Sequence, residues 1–160
     1  MSDVDLEVLD LPTLAFLAGS AANDYLLARI RAGGHAEVRL AHGYVFQYLL
    51  SGARSIGELA ELLGVTQQAA SKSVLELEAM GYVVRSADVH DSRVRRVELS
   101  TQGRKVIERG RAARASLHAK LEGELGERTM NAARRAMITL LEQTGGGQAA
   151  RRRRVRPARE

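Results

Sequence analysis

Hydrophobic positions recur at three- and four-residue steps over most of this chain, interrupted by two short Val-rich runs. Pro12 suits the first turn of a helix, and Leu14, Leu17, Ala18, Ala21, Tyr25 and Leu26 follow it on one stripe. A helix to about Ile30 is expected. Leu27 and Ile30 widen the stripe, so this helix needs cover on more than one side. Gly33-Gly34 ends it. A second helix is expected over Glu37–Leu50, with Val38, Val45 and Leu49 inward and Ser51-Gly52 as the stop.

The stretch Ser55–Thr101 organises the rest. Ser55 and Glu58 have capping-box spacing, in which each side chain satisfies the other's backbone donor. Ile56, Leu59, Ala60 and Leu63 make the buried face of the short helix that follows. Gly64 supplies a turn and Thr66 caps the next helix, whose core positions are Ala69 or Ala70, Val74, Leu77 and Met80. Gly81 sits where a left-handed cap ends a helix. Tyr82–Arg85 and Val94–Leu99 then read as strands joined by Ser86–Arg93, a loop with turn chemistry at Asp88, Asp91 and Ser92. Two helices followed by a hairpin is the order of a winged helix-turn-helix, a module that usually binds DNA.

Beyond it, Ser100 caps a long helix to about Leu125, with Val106, Gly110, Ala113, Leu117, Leu121 and Leu125 as its inner stripe. A final helix over about Glu127–Gln143 buries Met130, Ala133, Met137, Leu140 and Leu141. Gly145-Gly146-Gly147 breaks it, and the Arg-rich tail from Gln148 is expected to be disordered. That tail is equally a non-specific DNA arm or a solubilising extension. The domain division is residues 1–34 for the first dimerisation helix and 35–100 for the winged helix-turn-helix. Residues 101–144 then form the C-terminal dimerisation helices and 145–160 the tail. The fold class is mainly α with a small β-hairpin wing.

Composition sharpens this in three ways. With 160 residues the chain fits one domain, and 45% hydrophobic residues with 4% aromatics and no Trp favour helix packing. No run approaches the roughly 18 apolar residues of a membrane span. The acidic start MSDVDLEVLD lacks the basic opening of a signal peptide, and no Cys means no disulfide or thiolate metal site. A cytoplasmic, nucleoid-associated protein is the expectation. The net charge of +5 comes from the last ten residues, six Arg and one Glu, leaving 18 basic and 18 acidic residues in the other 150. Within that neutral body, residues 85–114 carry nine bases against four acids. Positive charge gathered at a hairpin is better evidence for nucleic acid than a high pI.

The chemistry narrows accordingly. Gln67, Gln68, Ser71 and Lys72 share one helix face, as i,i+4 pairs do. Such residues read bases and phosphates in a major groove, or they form an ordinary solvated face. At the wing, Arg93 and Arg95 are the contacting candidates and Asp91 an orienting one, because a carboxylate beside a phosphate must be paired. Asp88, His90 and Asp91 make a poor metal set. His42 and Phe46 either pack in the core or line a small-molecule pocket. There is no Gly-rich phosphate loop, no nucleophile–base pair and no spaced metal set, so neither an enzyme nor a cofactor is expected.

The sequence resembles the MarR family of bacterial winged-helix transcriptional regulators. SIGELAELLGVTQQAASKSVLELEAMGYVVR and DVHDSRVRRVELSTQGR carry the likeness, with Asp91, Arg93, Leu99-Ser100 and Gly103 at the family's Asp, Arg, Leu-Thr and Gly. It covers about residues 35–125. Val89-His90 replaces the commoner Pro-Arg, and the Arg-rich tail is not a family feature. The resemblance implies a homodimer on a palindromic operator, most often a repressor, released by a small aromatic effector. Thr66, Gln67, Gln68, Ser71 and Lys72 would then read double-stranded DNA, flanked by Arg93 and Arg95. The alternative expectation is a non-specific or architectural DNA-binding protein driven by the tail.

Overall fold

The computed structural model describes residues 5–88 and 95–151. A short 3-10 turn, Leu6–Val8, precedes helix α1, Leu11–Ala32, which Asp10 caps by accepting the Thr13 N–H at 2.8 Å. Then follow α2 (Leu40–Leu49), β1 (Arg54–Ser55), α3 (Ile56–Leu63), α4 (Gln67–Ala79), β2 (Val83–Ala87) and β3 (Arg95–Leu99). Helix α5 (Thr101–Gln143) and the short α6 (Gly147–Arg151) complete the chain.

The three strands form an antiparallel sheet in the order β1-β3-β2, with Arg85 opposite Val97 and Arg54 opposite Val97 on the other side. The expected hairpin is there. Strand β1 is additional: two residues without alternation leave no hydrophobic period to read. Helix α2 starts three residues later than its apolar pattern suggests, because Arg39 is extended at φ −115°. Val38 still reaches the core from that extended segment.

One core serves the whole winged helix. Val45, Phe46 and Leu49 of α2 meet Leu59 and Leu63 of α3, Val74 and Leu77 of α4, Tyr82, Val83, Val97 and Leu99 around the strands, and Val106 of α5. Helices α1 and α5 pack on each other over Leu26, Ile30 and Gly110. Past Ala113 the apolar stripe of α5 loses its cover: Leu121 and Leu125 are exposed, as are Phe16 and Leu17 on α1 and Ile138 and Leu141 further on. Gly126, at φ +74° and ψ 159°, interrupts α5 where the sequence separates two helices. In the expected tail, residues 147–151 are helical as α6, and Arg151 pairs with Glu142.

Candidate nucleic-acid interface

Local chemistry sets the helix-turn-helix. The Glu58 N–H donates to Ser55 Oγ at 3.2 Å and the Ser55 N–H to Glu58 Oε2 at 2.7 Å, so the capping box closes. Gly64 takes the left-handed conformation, φ +69°, that turns the chain into α4. Thr66 Oγ1 accepts the Ala69 N–H at 3.2 Å. With Ala70, Val74 and Leu77 buried, the opposite side of α4 has to face outward. Thr66, Gln67, Gln68 and Lys72 are exposed and Ser71 half-buried. The structure thus brings all five together at one end of α4. The Thr66 oxygen is committed to the cap, which leaves its O–H to donate. Gln67 lies over the first turn of α3, its Nε2 3.4 Å from where a side-chain carbon on Gly57 would sit.

The far end of α4 is locked to α5. The Tyr82 N–H donates to Leu77 O at 2.8 Å around Gly81, φ +75°. Ser100 then donates twice: its Oγ–H to Gly81 O at 2.6 Å and its N–H to Tyr82 O at 3.0 Å. Ser100 Oγ also accepts the Gly103 N–H at 3.0 Å and so caps α5. A side chain at Gly103 would meet Tyr82 O at 2.1 Å.

Around the reader the acids are neutralised by arginines. Arg85 pairs with Glu78 at 2.6 Å, Arg54 with Glu58 at 3.6 Å, and Arg39 with Glu76 of α4. Arg96 reaches Glu58 at 2.7 Å and Asp88 at 2.5 Å. Arg95 stands exposed at the start of β3, opposite Ala87. Asp91, Arg93 and His90 lie outside the described residues. Of the basic cluster the sequence groups at the wing, Arg96 is turned inward to protein carboxylates, which its neighbours in sequence give no means of foreseeing.

The two pocket candidates part company. Phe46 lines a cleft of about 100 Å³ with Leu26, Leu27, Ile30, Val106 and Ile107, and with Arg39 and Arg114 as its cations. His42 is one turn earlier and faces away from that cleft toward α4. Its Nδ1 accepts the Arg39 N–H at 3.2 Å, and its Nε2 stands 3.7 Å from Glu76. Burial, together with the Arg39 guanidinium, holds its pKa below the ordinary imidazole value despite Glu76. His35, against the Tyr82 hydroxyl at 3.1 Å, is held down by burial and then by Arg109 and Lys105.

A helix-turn-helix with a three-stranded antiparallel wing sheet, carried between long helices, is a winged-helix fold. Residues 38–94 match the MarR family model, so the resemblance read in the sequence holds over the reader and into the wing. That family is one of DNA-binding transcriptional regulators. Among solved structures, RV1404 from Mycobacterium tuberculosis is similar at TM-score 0.72 and 20% identity, over 89% of this chain and 96% of that one. The YusO protein from Bacillus subtilis follows at 0.69 and 22%, over 88% and 99%. A mutant of MepR from Staphylococcus aureus, bound to an oligodeoxyribonucleotide, is similar at 0.64 and 16%, over 85% and 99%. No curated protein matches the sequence. Among the described residues no helix is long and apolar enough to cross a membrane.

Proposed function

We propose that this protein is a sequence-specific transcriptional regulator, acting as a homodimer on a palindromic operator, with repression as its mode. The observation that carries the reading is α4. Its outward end gathers Gln67, Gln68, Ser71 and Lys72, while its opposite side is buried without a gap in the core. Side chains of this kind supply bidentate adenine contacts and phosphate or guanine contacts in a major groove. The uncovered stripes at Phe16, Leu17, Leu121, Leu125, Ile138 and Leu141 are the surface for a second copy. Two readers on a two-fold axis then fit half-sites roughly 34–36 Å apart. Arg93 and Arg95 flank the reader from the wing, and Asp91 orients Arg93.

The Phe46 cleft lies between the α1–α5 pair and α2, at the joint between the dimerisation helices and the reader. A small aromatic effector there would act through its different affinities for two reader spacings. Its apolar walls and two guanidinium groups suit an aromatic acid. The working compartment is the cytoplasm, on the nucleoid.

The test is to incubate purified protein with sheared genomic DNA at physiological salt and sequence what it retains. Enrichment of one inverted repeat supports the reading. Uniform retention that tracks only salt concentration points instead to a non-specific binder driven by the Arg-rich tail.

A further inference from the structure

Arg96 joins the wing to the rest of the reader. On β3 it stands between Ser55 of β1 and Ser86 of β2, where the sheet is three strands wide. Its Nε donates to Asp88 Oδ2 at 2.5 Å, and its Nη1 donates to Glu58 Oε2 at 2.7 Å. Asp88 directly follows strand β2, and its side chain is only 11% exposed. Glu58 Oε2 also accepts the Ser55 N–H, so the same oxygen serves the α3 cap and the Arg96 bridge. One planar guanidinium therefore ties the root of the wing to the first turn of α3, the turn over which Gln67 lies.

Stability alone is a weak reason for this trio. Half-exposed ion pairs contribute about 1 kcal/mol or less. Affinity for a polyanion is a worse one, because Glu58 and Asp88 put negative charge next to the DNA-facing side. A rigid fork that holds two carboxylates at fixed separation is, however, what a geometric strut requires. The Ser55 N–H, and with it Arg96 and Arg54, keeps the Glu58 carboxyl below the usual range, so the strut is charged at neutral pH.

We propose that Arg96 is a positioning residue for DNA binding: held between Glu58 and Asp88, it sets the wing at a fixed angle to α3 and α4 and leaves the phosphates to its neighbours. This rests on the DNA-binding reading above. Glu58→Gln separates the alternatives by sign. Gln still accepts the Ser55 N–H and keeps the cap, while the charge pair is lost. Simple electrostatics says that removing a carboxylate tightens binding to DNA, and so does a role for Arg96 as a phosphate contact, since Glu58 would no longer compete for it. Positioning says the reverse.

The experiment measures affinity of the full-length chain for a genomic duplex retained by the wild-type protein, with hydroxyl-radical footprints and thermal midpoints alongside. The expected result is that Glu58→Gln and Arg96→Gln each weaken binding about tenfold, and that the double variant loses no more than either alone. Protection should vanish at the flanks, where the wing sits, and persist in the major groove. Asp88→Asn, at the other end of the strut, should repeat the loss if Glu58→Gln lowers the thermal midpoint. Equal or tighter binding by the single carboxylate variants overturns the proposal, as do losses that multiply in the double variant. A wild-type chain that retains no duplex overturns this proposal and the DNA-binding reading together.

Discussion

Gly103 shows how little freedom one position in α5 has. A methyl group there would come within 2.1 Å of the Tyr82 carbonyl oxygen, a backbone atom held by the Ser100 N–H and unable to retreat. Helix propensity favours Ala over Gly by about 1 kcal/mol, while overpacking costs about 1–3 kcal/mol or more. The clash wins, so Gly103→Ala should lower the urea midpoint and loosen DNA binding together; a raised midpoint would mean the contact is absent. His35 and His42 make a second residue-scale prediction. Both are buried and both have depressed pKa values, so the fold holds them neutral while the unfolded chain protonates them below about 6.5. Their stabilisation is present above that value and declines as pH falls below it. Chemical denaturation at pH 7.5 and 5.5, a range in which carboxylates hardly titrate, should show lower stability at the acid end. A flat profile would contradict the neutral assignment.

Among the elements, the DNA-reading role proposed for α4 predicts a division between its residues that titration can resolve. Lys72→Ala removes a point charge, and should weaken binding to all sequences alike and lower the salt slope by about one. Gln68→Ala removes a directional pair, and should cost about 1–3 kcal/mol at its own base pair and relax specificity there. Equal behaviour of the two in a panel of operator variants would undo the distinction. Elements with strong local signals were legible in the sequence: the Ser55–Glu58 box, the Gly64 turn, the Thr66 cap, the Val-rich strands and the break at Gly126. What was not legible depends on partners distant along the chain. Strand β1 exists only because β3 offers it an edge, and Arg96 looks like any wing arginine until Glu58, 38 residues away, is placed beside it. His42 likewise reads as either a core or a pocket residue until Glu76 is brought to it.

Whole-molecule behaviour turns on the uncovered helices. Phe16 is 75% exposed, so Phe16→Asp should leave the core of one protomer intact. In the proposed dimer it places a charge in the interface. Sedimentation should then show a monomer whose circular dichroism is unchanged; a dimer of normal stability would put the interface elsewhere. Removing residues 148–160 takes away all of the net positive charge without touching α4. Operator preference should persist, with weaker and less salt-sensitive binding.

The joint at Ser100, where Gly81, Tyr82 and Gly103 converge, gives the long helix a mechanical meaning. Because the end of α4 and the start of α5 share these bonds, a tilt of α5 is expected to carry the end of α4 with it, as the head of a rod. From Thr101 to Gly126 that rod is about 37 Å long at 1.5 Å per residue. A tilt of about 5° at its Gly126 end moves the head by about 3 Å, close to the 3.4 Å rise of one base pair. The gearing is steep. In the proposed dimer, a disturbance too small to unfold anything, applied along the rod, would put the two heads out of step with the helical repeat of the DNA.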